Sequence, residues 1–281
     1  MTSFLRLYAT TPGIVLERLG AFVQAPIEFT VDALFSAQDP VAAAENAFSS
    51  GTPISAPATT AWRTPLGTQE IWAAGVTYLR SKKARMEESK DGGGGTFYDR
   101  VYEADRPELF FKSTPHRTVG PGGHVRLRAD SKWNVPEPEL TLAVSAQGKI
   151  FGFTLGNDMS SRDIEGENPL YLPQAKVYDG SAALGPCIVI TKTLPPPETR
   201  ISIEIRRNTS AVFSGETTLN QIKRPLPSLV EWLFRDQTFP RGCFLMTGTG
   251  IVPPDSFTLR AGDEIRITLD PVGTLINTVA P

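Results

Sequence analysis

The segment from Trp133 to Leu140 has the sequence Trp-Asn-Val-Pro-Glu-Pro-Glu-Leu, in which two prolines alternate with two glutamates. Each proline fixes its own φ and disfavours helical geometry in the residue before it, so this part of the chain is predicted to be extended. Side chains two residues apart on an extended chain point to the same face. Glu137 and Glu139 are therefore predicted to aim at one point, although glutamates at this spacing are more often a solvated strand face.

The residues after this segment predict a β-hairpin. Leu140, Leu142 and Val144 alternate with smaller or polar residues, Ala146-Gln147-Gly148 can turn the chain, and an apolar run then returns. The returning strand leads to Asp158, about one hairpin's length after Glu139. The hairpin is therefore predicted to bring Asp158 to the two glutamates.

Three carboxylates that meet at one point repel one another unless a cation lies among them, and the sequence shows no obvious cation there. Oxygen-only donors suit a hard divalent ion such as Mg²⁺, with Mn²⁺ or Ca²⁺ as alternatives. We therefore predict a metal site formed by Glu137, Glu139 and Asp158.

The rest of the chain indicates many short strands and few helices, a β-dominated α+β fold without a βαβ array. Helices are predicted to start near Thr30 and at Asp39. A charged helix is predicted over Ser81–Ser89, and another helix over Leu226–Phe234. The glycine run Gly92–Gly95 is either a lid hinge or a plain loop. Further strands are predicted at Ile27–Val31, Ile71–Tyr78, Arg106–Lys112, Cys187–Ile190, Ile201–Ile205, Phe257–Leu259 and Glu264–Leu269. The segment Ser55–Thr60 resembles a linker, and the character of the chain changes from Glu70, so the chain is predicted to divide into a small N-terminal domain, 1–62, and a catalytic domain, 63–281.

Composition disfavours several classes of protein. With 28 Lys and Arg against 30 Asp and Glu, the chain has no basic excess for nucleic acid. No apolar run is long enough to span a membrane, and two distant cysteines without a signal peptide predict a reducing cytoplasm. The only histidines, His116 and His124, weaken any zinc-hydrolase or Ser-His-Asp hypothesis.

Several short motifs occur in one order between residues 70 and 281, and with them the chain resembles the fumarylacetoacetate hydrolase family. The resemblance implies a mixed β-roll or distorted β-barrel, a homodimer or homotetramer, and Mg²⁺ at the three carboxylates. It also implies that Arg162, Lys176 and Thr249 contact an α-keto acid substrate. The motifs are Gly75-x-x-Tyr78, Phe110-Phe111-Lys112, Glu137-Pro138-Glu139, Asn157-Asp158-Met159-Ser160-Ser161-Arg162-Asp163, Lys176, Thr247-Gly248-Thr249-Gly250 and Gly262-Asp263.

One departure from the family pattern bears on the reaction. Hydrolase members carry Asn-Tyr-x-x-His-x-x-Glu, in which the histidine and glutamate activate water. This chain has Ser81 and Ala84 at those two positions, and neither takes a proton from water at neutral pH. Hydrolysis of a carbon–carbon bond is therefore disfavoured, unless Glu87 or Glu88 replaces the missing pair.

The segments Trp133–Leu140 and Arg162–Lys176 are similar to the branch of the family that contains 2-keto-3-deoxy-D-arabinonate dehydratase. That similarity implies dehydration of a 2-keto-3-deoxy pentonate, such as the arabinonate or xylonate, to 2-oxoglutarate semialdehyde in sugar-acid catabolism. Lys176 is the first candidate for proton transfer and Glu165 the second. Arg162 is predicted to hold a substrate oxygen or to brace the metal carboxylates, and Tyr78 to contact the sugar chain.

Two alternatives remain at the level of sequence. One is a hydrolase or decarboxylase of acylpyruvates or related diketo acids, and the other is a catalytically silent homologue that only binds a keto acid. The turn Thr247-Gly248-Thr249-Gly250 follows an apolar strand and offers backbone amides and hydroxyls. It is predicted either to bind a substrate carboxylate or to be a simple turn.

Overall fold

Strands dominate the fold, which confirms the predicted β-dominated α+β class. The computed structural model describes residues 4–81, 86 and 95–281. The predicted helix after Ser81, the candidate replacements Glu87 and Glu88, and the glycine run as a possible lid lie outside these described residues, apart from isolated positions.

The strands are β1 (Leu5–Thr10), β2 (Gly13–Arg18), β3 (Ala21–Gln24), β4 (Thr52–Ile54), β5 (Trp62–Arg63), β6 (Glu70–Gly75), β7 (Glu108–Ser113), β8 (Thr118–Val119), β9 (His124–Val125), β10 (Asn134–Val135), β11 (Pro138–Val144), β12 (Ile150–Asp158), β13 (Ser160–Ser161), β14 (Ala182–Ile190), β15 (Arg200–Arg207), β16 (Ser210–Thr218), β17 (Cys243–Met246), β18 (Glu264–Leu269) and β19 (Gly273–Val279). The helices are α1 (Val31–Ser36), α2 (Pro40–Ser50), α3 (Gly95–Glu103), α4 (Arg162–Glu167), α5 (Leu172–Lys176) and α6 (Leu226–Leu233).

Two mixed sheets form the body of the protein. The larger has the strand order β4-β3-β2-β1-β14-β12-β11-β17-β6-β7, with β5 on β1 and β8 on β14, and the smaller has the order β16-β15-β18-β19-β9. Most pairs are antiparallel, but β17 with β6, β14 with β8 and β19 with β9 are parallel. The order of the larger sheet is open at both ends, so the described strands form mixed sheets and not a closed barrel.

The central strands of the larger sheet are buried on both faces. On β11, Leu140, Leu142 and Val144 belong to a core shared with the smaller sheet and α6, whereas Ala143 belongs to a second core shared with α1 and α2. This double burial explains why all seven residues of β11 are buried. It makes β11 and its neighbour β12 the most enclosed hairpin of the sheet, and this is the hairpin that leads to the predicted metal site.

The N-terminal strands extend the same sheet. β1 pairs with β14 in the register Leu5 with Ile190 and Leu7 with Ile188. The strands on the two sides of the predicted boundary at residues 62 and 63 are therefore hydrogen-bonded to one another. The division into two domains stays a prediction.

Two predicted strands are wrong. Residues 27–31 do not form a strand, because the Thr30 hydroxyl accepts a hydrogen bond from Ala33 N at 3.1 Å and starts α1, as the alternative helix prediction required. Residues 257–259 are irregular, and Leu259 N donates to Asn134 O at 2.9 Å outside any ladder. The predicted cap of α2 is confirmed, since an Asp39 oxygen accepts from Ala42 N at 3.1 Å.

None of the helices in the described ranges is long and apolar enough to cross a membrane.

Candidate metal centre and active site

The hairpin of β11 and β12 brings the three predicted carboxylates together. Glu137 and Asp158 exchange two backbone hydrogen bonds, Glu137 N to Asp158 O at 3.2 Å and Asp158 N to Glu137 O at 3.0 Å. Residues paired in this way carry their side chains on one face, and Glu139 lies two residues along on that face. One oxygen from each of the three side chains lies within 4.8 Å of the others, and all three residues are buried.

Three cations surround these carboxylates, so the expectation that no cation lies among them is wrong. Lys176 Nζ lies 2.6 Å from Glu137 Oε2 and 3.0 Å from Asp158 Oδ2. The other oxygen of each carboxylate has its own partner, since Arg162 Nη2 lies 2.7 Å from Glu137 Oε1 and Lys112 Nζ lies 2.6 Å from Asp158 Oδ1. These cations come from β7, α4 and α5, and only the tertiary fold brings them to the hairpin.

Asp158 and Glu139 differ in charge environment. Burial works against the ionised form of Asp158, but the adjacent Lys112 and Lys176 ammonium groups hold its pKa below the usual value. Burial raises the pKa of Glu139 well above its usual value, and the nearby charges of Asp158 and Glu137 raise it further. Within the described part of the chain, Glu139 accepts one hydrogen bond, from Gly248 N at 2.6 Å, and has no ion-pair partner.

The site therefore fits a hard divalent ion. Its donors are carboxylate oxygens only, which is the donor set preferred by Mg²⁺, Mn²⁺ and Ca²⁺. Mg²⁺ binds oxygens at about 2.1 Å, so two ligands on opposite sides lie about 4.2 Å apart. The 4.8 Å limit on the three carboxylate oxygens is close to this spacing. Glu139 supplies the second indication, because a buried carboxylate without a cationic partner is costly unless a cation compensates its charge.

Lys176 is the predicted proton-transfer residue that lies inside the site. It is fully buried at the end of α5, and its ammonium also donates to Ser160 Oγ at 2.5 Å. The Phe110 ring lies beside it, 5.7 Å from Nζ to the ring centroid. A small pocket opens on this group and is lined by Ala74, Gly75, Val76, Ser81, Phe110, Glu137, Glu139, Asp158, Lys176, Gly248 and Thr249.

The remaining predicted residues occupy different positions. Thr249 and Ser81 line the pocket. Tyr78 is buried and its ring packs against Gly250. Glu165 is buried on α4, and Arg162 contacts Glu137. The substrate contacts of Arg162, Thr249 and Tyr78 and the catalytic part of Glu165 stay predictions.

The end of β6 shapes one wall of the pocket. The predicted strand continues to Tyr78, but β6 stops at Gly75, and Val76 has a φ of 51°, which is strained for a β-branched residue. Thr77 holds this bend, since its hydroxyl donates to Thr247 O at 2.7 Å and its carbonyl accepts from Lys223 N at 3.0 Å. Strain of this kind clusters at functional sites.

Lys112 and Phe110 lie at the site without a role predicted from the sequence. Both lie on β7 within the motif Phe110-Phe111-Lys112, and residues two apart on a strand share a face, so the alternation signalled that they act together. The Gly248 amide was predicted to meet a substrate carboxylate or to be part of a turn, and it donates to Glu139.

A family model described as fumarylacetoacetate (FAA) hydrolase C-terminal matches residues 70–280. Because this match covers most of the chain, the protein belongs to the fumarylacetoacetate hydrolase family, as its motifs predicted.

Dehydratases are among the relatives of the chain. It is 48% identical over 216 residues to a probable 2-keto-3-deoxyxylonate dehydratase of Haloferax volcanii, covering 76% of this chain and 73% of the relative. It is 41% identical over 217 residues to 2-dehydro-3-deoxy-D-arabinonate dehydratase of Saccharolobus solfataricus, with coverages of 76% and 73%. A solved structure of 2-keto-3-deoxy-D-arabinonate dehydratase complexed with magnesium and 2,5-dioxopentanoate has a TM-score of 0.80 and 31% identity, covering 99% of both chains.

Proposed function

We propose that this protein is a divalent-metal-dependent dehydratase of a 2-keto-3-deoxy sugar acid, a pentonate such as the arabinonate or xylonate, and forms 2-oxoglutarate semialdehyde. The observation that carries the proposal is the position of Lys176. Its ammonium lies 2.6 Å from Glu137 and 3.0 Å from Asp158, in a pocket where Ser81 takes the place of a water-activating histidine. The described site thus has a group for proton transfer at the carboxylates and no histidine for hydrolysis.

The comparisons support this choice of reaction. Two relatives that match more than 40% of the aligned residues are named as dehydratases of 2-keto-3-deoxy pentonates. Another structure of that enzyme type contains magnesium and 2,5-dioxopentanoate, which is the semialdehyde product expected here. The likeness extends over 99% of both chains, so it includes all the elements that form the site.

Glu137, Glu139 and Asp158 are the residues that would hold Mg²⁺. When bound, the ion supplies a Lewis acid that stabilises the negative charge developing on the keto oxygen of the substrate. Arg162 contacts Glu137 Oε1 and Lys112 contacts Asp158 Oδ1, which we call the outer oxygens. The inner oxygens, Glu137 Oε2 and Asp158 Oδ2, face the centre of the site, where they also contact Lys176. The chain therefore orients two of the three ligands before any ion binds.

Lys176, as the neutral amine, removes the C3 proton of the substrate in this proposal and becomes an ammonium. The C4 hydroxyl is β to the carbonyl, so it leaves as water once it has received a proton, and a double bond forms between C3 and C4. Loss of a proton from C5 and gain of a proton at C3 then give the enol of the aldehyde. Loss of the enol hydroxyl proton and gain of a proton at C4 give the semialdehyde, with Glu165 as the second acid–base group. A general acid or base in this position accounts for about 10²–10⁴-fold of rate.

No attacking water is needed for this reaction, which agrees with Ser81 in the pocket. Ser81 Oγ donates to Tyr78 O at 2.8 Å, so its hydroxyl hydrogen is directed to the backbone. Val76 and Phe110 give the pocket an apolar wall that excludes water from the reacting carbons.

The test is a panel of 2-keto-3-deoxy pentonates and hexonates, assayed with Mg²⁺ and with an excess of chelator. We expect semialdehyde formation from a pentonate, abolished by chelator and restored by Mg²⁺. Release of pyruvate from acylpyruvates without semialdehyde formation would favour a hydrolase or decarboxylase instead. Mg²⁺ binding without turnover of any keto acid would favour the catalytically silent homologue.

A cytoplasmic location and a homodimer or homotetramer belong to the same proposal. The two cysteines, Cys187 and Cys243, are free and buried, which supports a reducing compartment. Size-exclusion chromatography with light scattering tests the oligomer, and a monomer would contradict it.

A further inference from the structure

Lys112 is a buried cation of the site for which the proposed reaction has no proton-transfer step. It lies on β7, it is 0% exposed, and the pocket lining does not include it. Lys176, in contrast, lines the pocket. Lys112 therefore contacts the site from behind and is not placed to touch a substrate.

The Lys112 ammonium contacts three oxygens of the protein. Nζ donates to Met159 O at 3.0 Å and to Lys176 O at 2.5 Å, and it forms an ion pair with Asp158 Oδ1 at 2.6 Å. A lysine ammonium has three donors and no acceptor. With three protein oxygens around it, the group is suited to fixing its neighbours and not to exchanging a proton with a ligand.

The three acceptors are parts of the site that must keep a fixed relation. Asp158 is a predicted metal ligand, Met159 is the residue that follows it, and Lys176 is the predicted proton-transfer group. Lys112 thus ties the end of β12 to the end of α5 from a third element, β7. It also lies 2.6 Å from Asp158 Oδ1, while Asp158 Oδ2 lies 3.0 Å from Lys176 Nζ, so the two oxygens of the carboxylate face different cations.

We propose that Lys112 is a positioning residue, which holds Asp158 and the Lys176 backbone in the geometry required to bind the metal ion. The inference rests on the proposed metal centre. Groups that orient metal ligands from behind typically contribute about 10–100-fold to metal affinity. Lys112 has this relation to Asp158.

The direction of the effect separates positioning from charge. Lys112→Met removes a positive charge next to the site, and by charge alone that change strengthens the binding of a cation. Loss of orientation has the opposite effect, because Asp158 becomes free to rotate and two buried carbonyls lose their donor. A weaker affinity of Lys112→Met for Mg²⁺ therefore indicates loss of positioning and not loss of charge.

The experiment is a calorimetric titration of full-length protein, freed of metal by chelator and dialysis, with MgCl₂. We expect Lys112→Met to bind Mg²⁺ about 10–100-fold more weakly than wild type. The matched control is Lys192→Met, since Lys192 is exposed and pairs with Asp39 at 2.7 Å. Lys192 follows the end of β14 that lies opposite to Ala182, the residue that pairs with Asp158. The control variant is expected to bind Mg²⁺ as wild type does.

The folded state of each variant is checked by near-UV circular dichroism and thermal melting. A folded Lys112→Met protein with wild-type or tighter affinity overturns the inference, even if it melts at a lower temperature, because Lys112 would then serve folding only. If Lys112→Met does not fold, Lys112→Gln, which keeps donors for the carbonyls, is judged by the same affinity. If neither folds, the positioning role is rejected in favour of a folding role.

Failure of the proposed function would look different. If wild type and Lys192→Met bind no Mg²⁺, as well as Lys112→Met, the proposal of a metal centre is wrong and the inference about Lys112 is wrong with it. If wild type binds and Lys112→Met binds equally, only the role of Lys112 is wrong.

Discussion

At the scale of single residues, the site divides its two lysines between different tasks. Lys112 lies behind Asp158 and contacts three protein oxygens. Lys176 lies in the pocket and contacts the inner oxygens of both Glu137 and Asp158. The same change of lysine to methionine is therefore expected to have opposite effects on metal binding at the two positions.

Lys176→Met is expected to lower kcat by about 100-fold or more, because a positioned acid–base group contributes about 10²–10⁴-fold. Mg²⁺ affinity is expected to be no weaker than in wild type. In this variant Arg162 and Lys112 still contact the outer oxygens of Glu137 and Asp158. The ammonium that contacts the inner oxygens is removed, so it no longer competes with the ion for them. Steady-state assays and calorimetry measure the two effects, with Lys192→Met as the control. A kcat within twofold of wild type would contradict the catalytic role.

Glu139→Gln tests whether the Glu139 carboxylate, which has no ion-pair partner among the described residues, requires a bound ion to balance its charge. Without metal, the buried Glu139 carboxylate is costly and its pKa is raised by burial, so the neutral amide is expected to melt at the same or a higher temperature than wild type. With Mg²⁺ the order is expected to reverse, since a ligand at 100 times its Kd stabilises the folded state by about 2.7 kcal/mol.

The measurement for Glu139→Gln is thermal melting of both proteins, once in chelator and once in excess Mg²⁺. A variant that melts well below wild type in chelator would show that the carboxylate stabilises the fold without an ion. A variant that Mg²⁺ stabilises as much as wild type would show that Glu139 is not a ligand.

At the level of secondary-structure elements, the turn after β17 hydrogen-bonds to Glu139, the third carboxylate of the cluster. Gly248 has a φ of +90°, and a Cβ on it would lie 2.0 Å from Thr77 Oγ1 and 3.0 Å from Ala74 O. Its amide donates to Glu139 at 2.6 Å. The turn therefore requires glycine for both its backbone conformation and its packing against the end of β6.

Gly248→Ala is expected to destabilise the protein and to weaken Mg²⁺ binding, because the turn must move away from Thr77 and carries the amide with it. Gly262→Ala is the matched control, since Gly262 has a φ of +82° with nothing within 4 Å of its Cβ. The control bears only the left-handed strain of about 1–2 kcal/mol, and the clash adds about 1–3 kcal/mol at Gly248. Urea unfolding and calorimetry compare them, and equal losses would refute the packing argument.

At the scale of the whole molecule, the N-terminal strands and the site share one sheet. β1 pairs with β14, and β14 pairs with β12, which ends at Asp158. A change in β1 is therefore expected to affect the stability of the entire structure and not of a separate N-terminal unit.

Leu7→Ala is expected to lower the free energy of unfolding by about 2–5 kcal/mol, since Leu7 is 0% exposed and its removal leaves a cavity. Tryptophan fluorescence and far-UV circular dichroism are expected to report one coincident transition. Ile27→Ala, at a position 85% exposed, is the control and should unfold as wild type does. Two separate transitions, with only the first shifted by Leu7→Ala, would instead support the predicted boundary at residues 62 and 63.

The sequence was informative where local chemistry determines structure. Prolines before Glu137 and Glu139 exclude a helix, and the alternation that follows predicts the hairpin whose register places Asp158 opposite Glu137. The metal site and the β-dominated class were therefore predictable, because both depend on backbone geometry over a few tens of residues. The absence of the hydrolase histidine at Ser81 likewise required only the order of residues.

The groups that surround the three carboxylates come from distant parts of the chain. Lys112 lies 46 positions before Asp158 in the sequence, yet its ammonium lies 2.6 Å from that carboxylate. Gly248 reaches Glu139 across a sequence separation of 109 residues. Such contacts depend on which strands become neighbours, and no local pattern specifies that choice. Local sequence therefore specifies the three carboxylates and the face they share, whereas the packing of β7, α4, α5 and the Gly248 turn specifies which groups hold them and how their charge is balanced.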